Sequence, residues 1–121
     1  MRKGLRVIIC GGRDYNKQQF LFRKLDELQI EHGPFDTVIH GDAPGADRLA
    51  HNWALLRGIT VVPVPAEWDR HGKAAGPIRN RRMLSDYDPD LVIAFPGHAG
   101  TDDMMRQADA AGVEVMEIKD V

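Results

Sequence analysis

Leu91-Val92-Ile93-Ala94-Phe95-Pro96-Gly97-His98-Ala99-Gly100-Thr101-Asp102-Asp103-Met104-Met105 is the stretch whose reading decides the fold. It opens with five apolar residues, short enough for a strand covered on both faces. Pro96 and Gly97 end that strand, because proline lacks a ladder N–H and glycine permits a tight turn. Met104, Ala108 and Ala111 follow at helical spacing, and Gly112 is placed to end the helix. Thr101 is the expected N-cap, with Asp102 and Asp103 in the first turn, where the dipole favours negative charge. Strand, glycine-bearing turn and helix N-terminus in succession offer free backbone N–H groups to an anion, most often a phosphate. A bare βα turn needs the same glycines, so the neighbouring segments decide.

Upstream, Pro77 suits the first turn of a helix running through Met83. Arg79 and Arg82 share one face of it, from which a guanidinium can fork onto a phosphate; Arg81 points elsewhere, into solvent. Residues 65–76 show no periodicity and read as a long loop containing Glu67, Trp68, His71 and Lys73. A loop of that length in a small domain is more often functional than decorative. Ile59 to Val64 is a β-branched, buried-looking strand.

Nearer the N-terminus, Leu5 to Cys10 reads as the first strand, leaving through Gly11-Gly12-Arg13-Asp14-Tyr15. Asn16 with Gln19 imitates a capping box for a helix faced by Leu21, Leu25 and Leu28, which His32-Gly33-Pro34 breaks. Thr37 to His40 is a second strand, leaving through Gly41-Asp42-Ala43-Pro44-Gly45-Ala46-Asp47. Leu49, Trp53 and Leu56 then face a second helix, ended by Gly58. Val113 to Ile118 is the last strand, with Glu114 and Glu117 implying an exposed edge.

Strands alternating with helices imply an α/β fold: a Rossmann-like five-stranded parallel sheet, order 3-2-1-4-5, with helices on both faces. Residues 1–121 read as one domain. Strands one and four then meet at the topological switch point, where such sheets bind ligands at their carboxyl ends. The three glycine-bearing loops all leave carboxyl ends, which points to a nucleotide-like ligand.

The 43% apolar and 28% charged residues give an ordinary globular balance, without a disorder signature. A formal net charge of −2 gives no general attraction to nucleic acid or an anionic membrane. The lone Cys10, within an apolar run, reads as packing, so no disulfide framework is expected and a reducing cytoplasm fits. Neither a membrane span nor a signal peptide is legible.

Among side chains with chemistry, Asp14, Asp42 and Asp47 suit turn or helix capping, or acceptance of ribose hydroxyls; capping is preferred for Asp47. Trp68 and Tyr15 are candidates to stack on a base, whereas Trp53, at helical spacing, belongs to the core. His32, His40, His51, His71 and His98 lack metal-site spacing, and only His98, in the turn, suggests a ligand or catalytic role. The nucleophile elbow and the P-loop pattern are both absent.

Cys10-Gly11-Gly12-Arg13-Asp14-Tyr15, His40 to Asp47, Ala75-Gly76-Pro77-Ile78-Arg79-Asn80 and Ala94 to Thr101 together resemble the SLOG superfamily, and within it the YspA/YpsA-related group of small stand-alone proteins. The resemblance implies a Rossmann-like fold binding nucleotides or nucleotide-derived ligands, in a sensing, sequestering or presenting role. The candidate ligand-binding residues are Gly11, Gly12, Arg13, Asp14, Gly41, Asp42, Gly45, Trp68, Arg79, Pro96, Gly97, His98, Gly100 and Thr101. Catalytic residues stay unassigned, and no metal or cofactor is expected.

The superfamily's Lonely Guy (LOG) phosphoribohydrolases, which cut the base from nucleoside 5′-monophosphates, carry Pro-Gly-Gly-x-Gly-Thr-x-x-Glu and an arginine on the preceding helix. Pro96, Gly97, Gly100 and Thr101 match, and Arg79 falls at the arginine position. His98 replaces the second glycine and Met104 stands where the glutamate would be; a thioether moves no proton. Asp102 and Asp103 are expected to project away from that position. Ligand binding is therefore the leading function, LOG-like N-glycoside hydrolysis the alternative, and single-stranded DNA binding, as in the DprA branch, a third. Similarity of Ala74-Ala75-Gly76-Pro77 and its helix to superfamily dimer regions implies a homodimer or larger homo-oligomer.

Overall fold

Alternate residues of a strand go to opposite faces of its sheet, and the first strand, β1 (Leu5–Cys10), is apolar on both. Val7 and Ile9 belong to one core and Ile8 to a second, all with no exposed surface. The computed structural model describes residues 4–119. After β1 come α1 (Gln18–His32), β2 (Phe35–His40), α2 (Ala46–Leu56), β3 (Thr60–Pro63), α3 (Trp68–His71), a 3₁₀ turn, α4 (Ala75–Asp86), β4 (Leu91–Ala94), α5 (Ala99–Ala110) and β5 (Glu114–Glu117). The five strands are parallel in the order β3-β2-β1-β4-β5, the topology the alternating pattern predicts. Leu21, Leu25 and Leu28 of α1 and Trp53 of α2 join the Val7 core. Met83 of α4 and Met104 and Ala108 of α5 join Ile8 on the opposite face.

Several boundaries differ from the sequence expectation. The chain enters α1 with Lys17 at the N-cap and no side-chain cap, so Asn16 and Gln19 form no capping box; the Asn16 carbonyl instead accepts the Gln18 N–H. Leu56 lies 69% exposed, because Ala46, Ala50, Trp53 and Ala54 carry the buried face of α2. The third strand is an edge, half-buried and not core. Residues 65–76 are not a structureless loop, for they hold α3 and the 3₁₀ turn before α4 begins at Ala75. Helix α5 starts at Ala99 with His98 at the N-cap, which puts Thr101 inside the first turn, buried. At the far end Ala111 is the exposed C-cap, one residue past the helix, and does not extend the face that Met104 and Ala108 bury.

The loop after β2 is built around two buried polar side chains. The His40 Nδ1 accepts the Asp42 N–H at 2.9 Å, and its Nε2 lies 2.9 Å from His51 Nδ1. Asp42 itself adopts a left-handed backbone (φ 57°), which aspartate tolerates better than most residues. Oδ2 of Asp47 accepts the N–H groups of Gly41 at 3.0 Å and Ala43 at 3.3 Å, the turn-capping role its spacing predicts. Burial holds His40 down at about 4, helped by the facing His51, and pushes Asp47 up to about 6 against its two N–H donors and Arg79.

Two predictions follow from this packing. Trp53→Ala should cost about 3–5 kcal/mol in urea unfolding, whereas Leu56→Ala should stay within about 0.5 kcal/mol. The second concerns acid. Between pH 6.5 and about 4 the unfolded chain protonates His40 and the folded chain does not, so stability falls as pH falls. Asp47 acts oppositely between about 6 and 3.8, because there the folded chain binds the proton. The two slopes oppose each other in the native protein. Asp47→Asn, whose amide oxygen still accepts both N–H groups, should expose the His40 slope as an extra loss on the order of 2 kcal/mol between about pH 6.5 and 4.5. Urea midpoints for both proteins at three pH values within that window check it; parallel profiles would refute it.

Candidate functional site

The β1–β4 ladder ends with Cys10 beside Ala94, so the chain leaves both central strands at one place. Pairing continues past the strands, from Phe95 N–H to Cys10 O and from Gly12 N–H to Pro96 O, each at 2.9 Å. The third loop joins them where Ala46 N–H donates to Gly12 O at 3.1 Å. Gly45 (φ 78°) admits no side chain here, since a Cβ would overlap Gly12 and Arg13. Gly97 is equally confined, because a Cβ would run into Thr101 Oγ1 and Gly12 N. A cleft of about 710 Å³ opens over the crossing, within the range of small-molecule sites.

The structure brings ten of the fourteen expected residues to that cleft: Gly11, Gly12, Arg13, Asp14, Gly41, Trp68, Arg79, His98, Gly100 and Thr101. Four fall outside its lining, for physical reasons. Asp42 faces Arg48 at 3.5 Å, and Pro96 spends its carbonyl on Gly12. Gly45 and Gly97 are taken up by the close packing of the loops. Tyr15 is not a stacking surface; it lies in the core, its ring 5.7 Å from that of Phe95.

The first turn of α5 lines the cleft through Ala99, Gly100 and Thr101. The Asp102 N–H is already bonded to His98 O at 2.9 Å, so Ala99, Gly100 and Thr101 carry the N–H groups that precede the intrahelical ladder. Arg79 reaches across from α4. Its Nη1 donates to Gly41 O at 2.6 Å and its Nε to Asn80 Oδ1 at 2.9 Å. Burial draws the Arg79 pKa down while Asp47 opposes the shift, and the guanidinium stays charged. Cys10 lines the floor; burial, and then Asp47, push its thiol well above the ordinary range, so it is neutral. Arg82, on the expected face, turns instead to Glu67 and Asp86, at 3.5 and 3.7 Å.

The rim is mixed. Trp68 is 48% exposed, with the Arg13 guanidinium 6.0 Å from its ring centroid. The His98 Nε2 sits 3.2 Å from both oxygens of Asp14, a bridge between the first and last loops that lowers the Asp14 pKa. Lys73 and Arg106 add cations that the sequence reading did not single out as ligands. Asn80 and Asp103 were also passed over. Asp103 projects away from the Met104 position and lines the cleft, because Ala99, Asp103 and Arg106 fall on one face of α5. Met104 is 1% exposed and packs into the core beneath. The signal that finds Asp103 and Arg106 is the face of α5 they share with Ala99, at i, i+4 and i+7. Among the described residues no cluster of His, Cys, Asp or Glu could hold a metal ion, and no helix is long and apolar enough to cross a membrane.

A Streptococcus pneumoniae structure, DNA processing protein A (DprA), superposes with a TM-score of 0.74 at 20% identity, over 98% of this chain and 52% of that one. A UDP-N-acetylglucosamine 2-epimerase superposes with a TM-score of 0.58 at 15% identity, over 98% of this chain and 32% of that one. The chain thus spans about half of the DprA chain and a third of the epimerase, and both likenesses concern the fold alone. Gene 61 protein of Mycobacterium phage D29 is 35% identical over 123 residues, covering 95% of this chain and 97% of its own. Residues 5–71, which carry the first two loops of the cleft, match the family model described as YspA, cpYpsA-related SLOG. With that match and the phage relative together, the chain belongs to the YspA, cpYpsA-related SLOG family.

Proposed function

We propose that the protein binds a nucleotide or nucleotide-derived ligand, with a phosphate at the first turn of α5. One observation carries this reading: Ala99, Gly100 and Thr101, whose N–H groups precede the α5 ladder, line the same cleft as the charged Arg79 at the switch point. Backbone donors and a helix dipole favour an anion there, and a guanidinium supplies the full charge the dipole lacks. Asp102, in the same turn, is exposed and screened by solvent. The half-exposed Trp68 offers a face to a base. Sensing, sequestration and presentation of the ligand are all served by such a site.

Hydrolysis of the N-glycosidic bond is the second reading, favoured by the carboxylate of Asp103 in the cleft. Against it, the position corresponding to the LOG glutamate is Met104, which is sealed in the core. Asp103 is anchored by two amide donors, Asn80 and Gln107, which commit one of its oxygens to the scaffold.

Calorimetric titration with AMP, GMP, CMP and UMP tests the binding. Arg79→Ala should weaken the tightest of them about ten- to hundredfold, the scale of a charged hydrogen bond. Gly100→Val should weaken it at least as much. A Cβ at Gly100 meets nothing within 4 Å, so the added side chain obstructs the ligand and not the fold. Arg81→Ala, on the exposed face, should change little. Equal affinity for wild type and both cleft variants would place the phosphate elsewhere. As to chemistry, chromatography should find negligible free base released from these nucleotides; release at an ordinary enzymatic rate, abolished by Asp103→Asn, would establish hydrolysis instead.

A further inference from the structure

Asn80 ties the two charged walls of the cleft together. It is 3% exposed, and its Oδ1 accepts the Nε–H of Arg79 at 2.9 Å. Arginine can only donate, so the amide orientation follows and Nδ2 faces the other way. That nitrogen donates to Gly100 O at 3.2 Å and to Asp103 Oδ2 at 3.0 Å. Gln107 donates to the same Oδ2 at 2.8 Å and to Pro77 O at 3.0 Å. One oxygen of Asp103 is therefore occupied by two amide donors that lock the carboxylate between α4 and α5.

The other oxygen is not so engaged. Arg106 Nη2 lies 3.6 Å from Oδ1, beyond hydrogen-bond distance, on a side chain that is 71% exposed. Oδ1 thus keeps acceptor capacity at the wall of the cleft. A carboxylate there repels a second anion and rewards a donor. Asp103 sits one turn beyond Ala99, so its Cα is about 5–6 Å further along the helix than the first free N–H groups. At that distance from its 5′-phosphate a nucleotide carries its ribose hydroxyls. Of the other carboxylates lining the cleft, Asp14 is exposed and already engaged by His98, and Asp47 is buried and accepts the N–H groups of Gly41 and Ala43.

Resting on the nucleotide reading above, we propose that Asp103 accepts a ribose hydroxyl of the ligand and makes the site selective for ribonucleotides over their deoxy counterparts. The test takes whichever of AMP, GMP, CMP and UMP binds wild type most tightly, and titrates it beside its 2′-deoxy and 3′-deoxy forms. At least one deoxy form should bind wild type about ten- to hundredfold more weakly. In Asp103→Asn the amide oxygen can still accept from Asn80 and Gln107, which turns the NH₂ toward the ligand. The acceptor is thereby replaced by a donor while the anchor is kept. The ribo-to-deoxy ratio should then fall below about threefold, with deoxynucleotide affinity unchanged or improved by removal of the negative charge. Loss of affinity for both forms alike, with the ratio kept, would mark Asp103 as merely structural and overturn the proposal. So would equal affinities of wild type for the ribo and both deoxy forms, an outcome that leaves the nucleotide reading standing. Failure of wild type to bind any of the four ribonucleotides removes that reading and this inference with it.

Discussion

The hydrogen bond from Gly12 N–H to Pro96 O continues the β1–β4 ladder one step past the last strand residues. The rest of the site depends on that continuation. It holds the first and fourth loops in contact where strand order reverses, and leaves no room for side chains between them: a Cβ on Gly12 would come within 3.1 Å of Pro96 O and 3.3 Å of Gly97 Cα. The Gly12 carbonyl then receives Ala46 N–H, so one glycine joins three loops through its backbone. Side chains thicker than hydrogen at this crossing would push the first turn of α5 away from β1, and the cleft is the space that their absence leaves.

Charge inside the crossing is handled by pairing as well as by hydration. Arg79 and Asp47 both lose solvation there, shifting each toward its neutral form, and each offsets the other. Neither relies on the other alone. Asp47 has two backbone donors, and Arg79 has the Gly41 carbonyl and the Asn80 amide. A guanidinium fixed by two hydrogen bonds has little rotamer freedom left to lose when an anion arrives, which is the energetic meaning of a preorganised site.

Most of the architecture was legible because strand and helix periodicities are strong here. The five apolar residues from Leu91 to Phe95 and the Leu21, Leu25, Leu28 spacing admit little else, and the alternation implies the strand order. What escaped the sequence was where α5 begins and what borders it. Thr101 is a good capping residue by type, yet the N-cap is His98, three residues earlier. Asp103 lines the cleft because Asn80 of α4 meets its carboxylate, a tertiary contact that local spacing does not express. Leu56 was misplaced for a related reason: three alanines and Trp53 suffice to fill the interface beneath α2, and a leucine at the helix end has nothing left to cover. Within residues 65–76 the short α3 is too brief to express a period, so only tertiary contact reveals it.

The motif residues divide by task. Gly45, Pro96 and Gly97 shape the backbone and do not line the cleft, whereas Arg13, Trp68, Lys73 and Arg106 line it and carry no burden of loop geometry among the described contacts. Arg79 and Asn80 do both, since they hold Gly41 and Gly100 and also border the cleft. A substitution in the first set alters the fold of the crossing. One in the second alters only what the cleft can hold, so the same crossing can be kept while ligand preference changes. Asp103 stands between the sets: one oxygen is committed to the scaffold through Asn80 and Gln107, and the other, 3.6 Å from Arg106, keeps acceptor capacity on a residue that lines the cleft. An atom positioned by the fold but not consumed by it is where specificity can be added at the smallest structural cost.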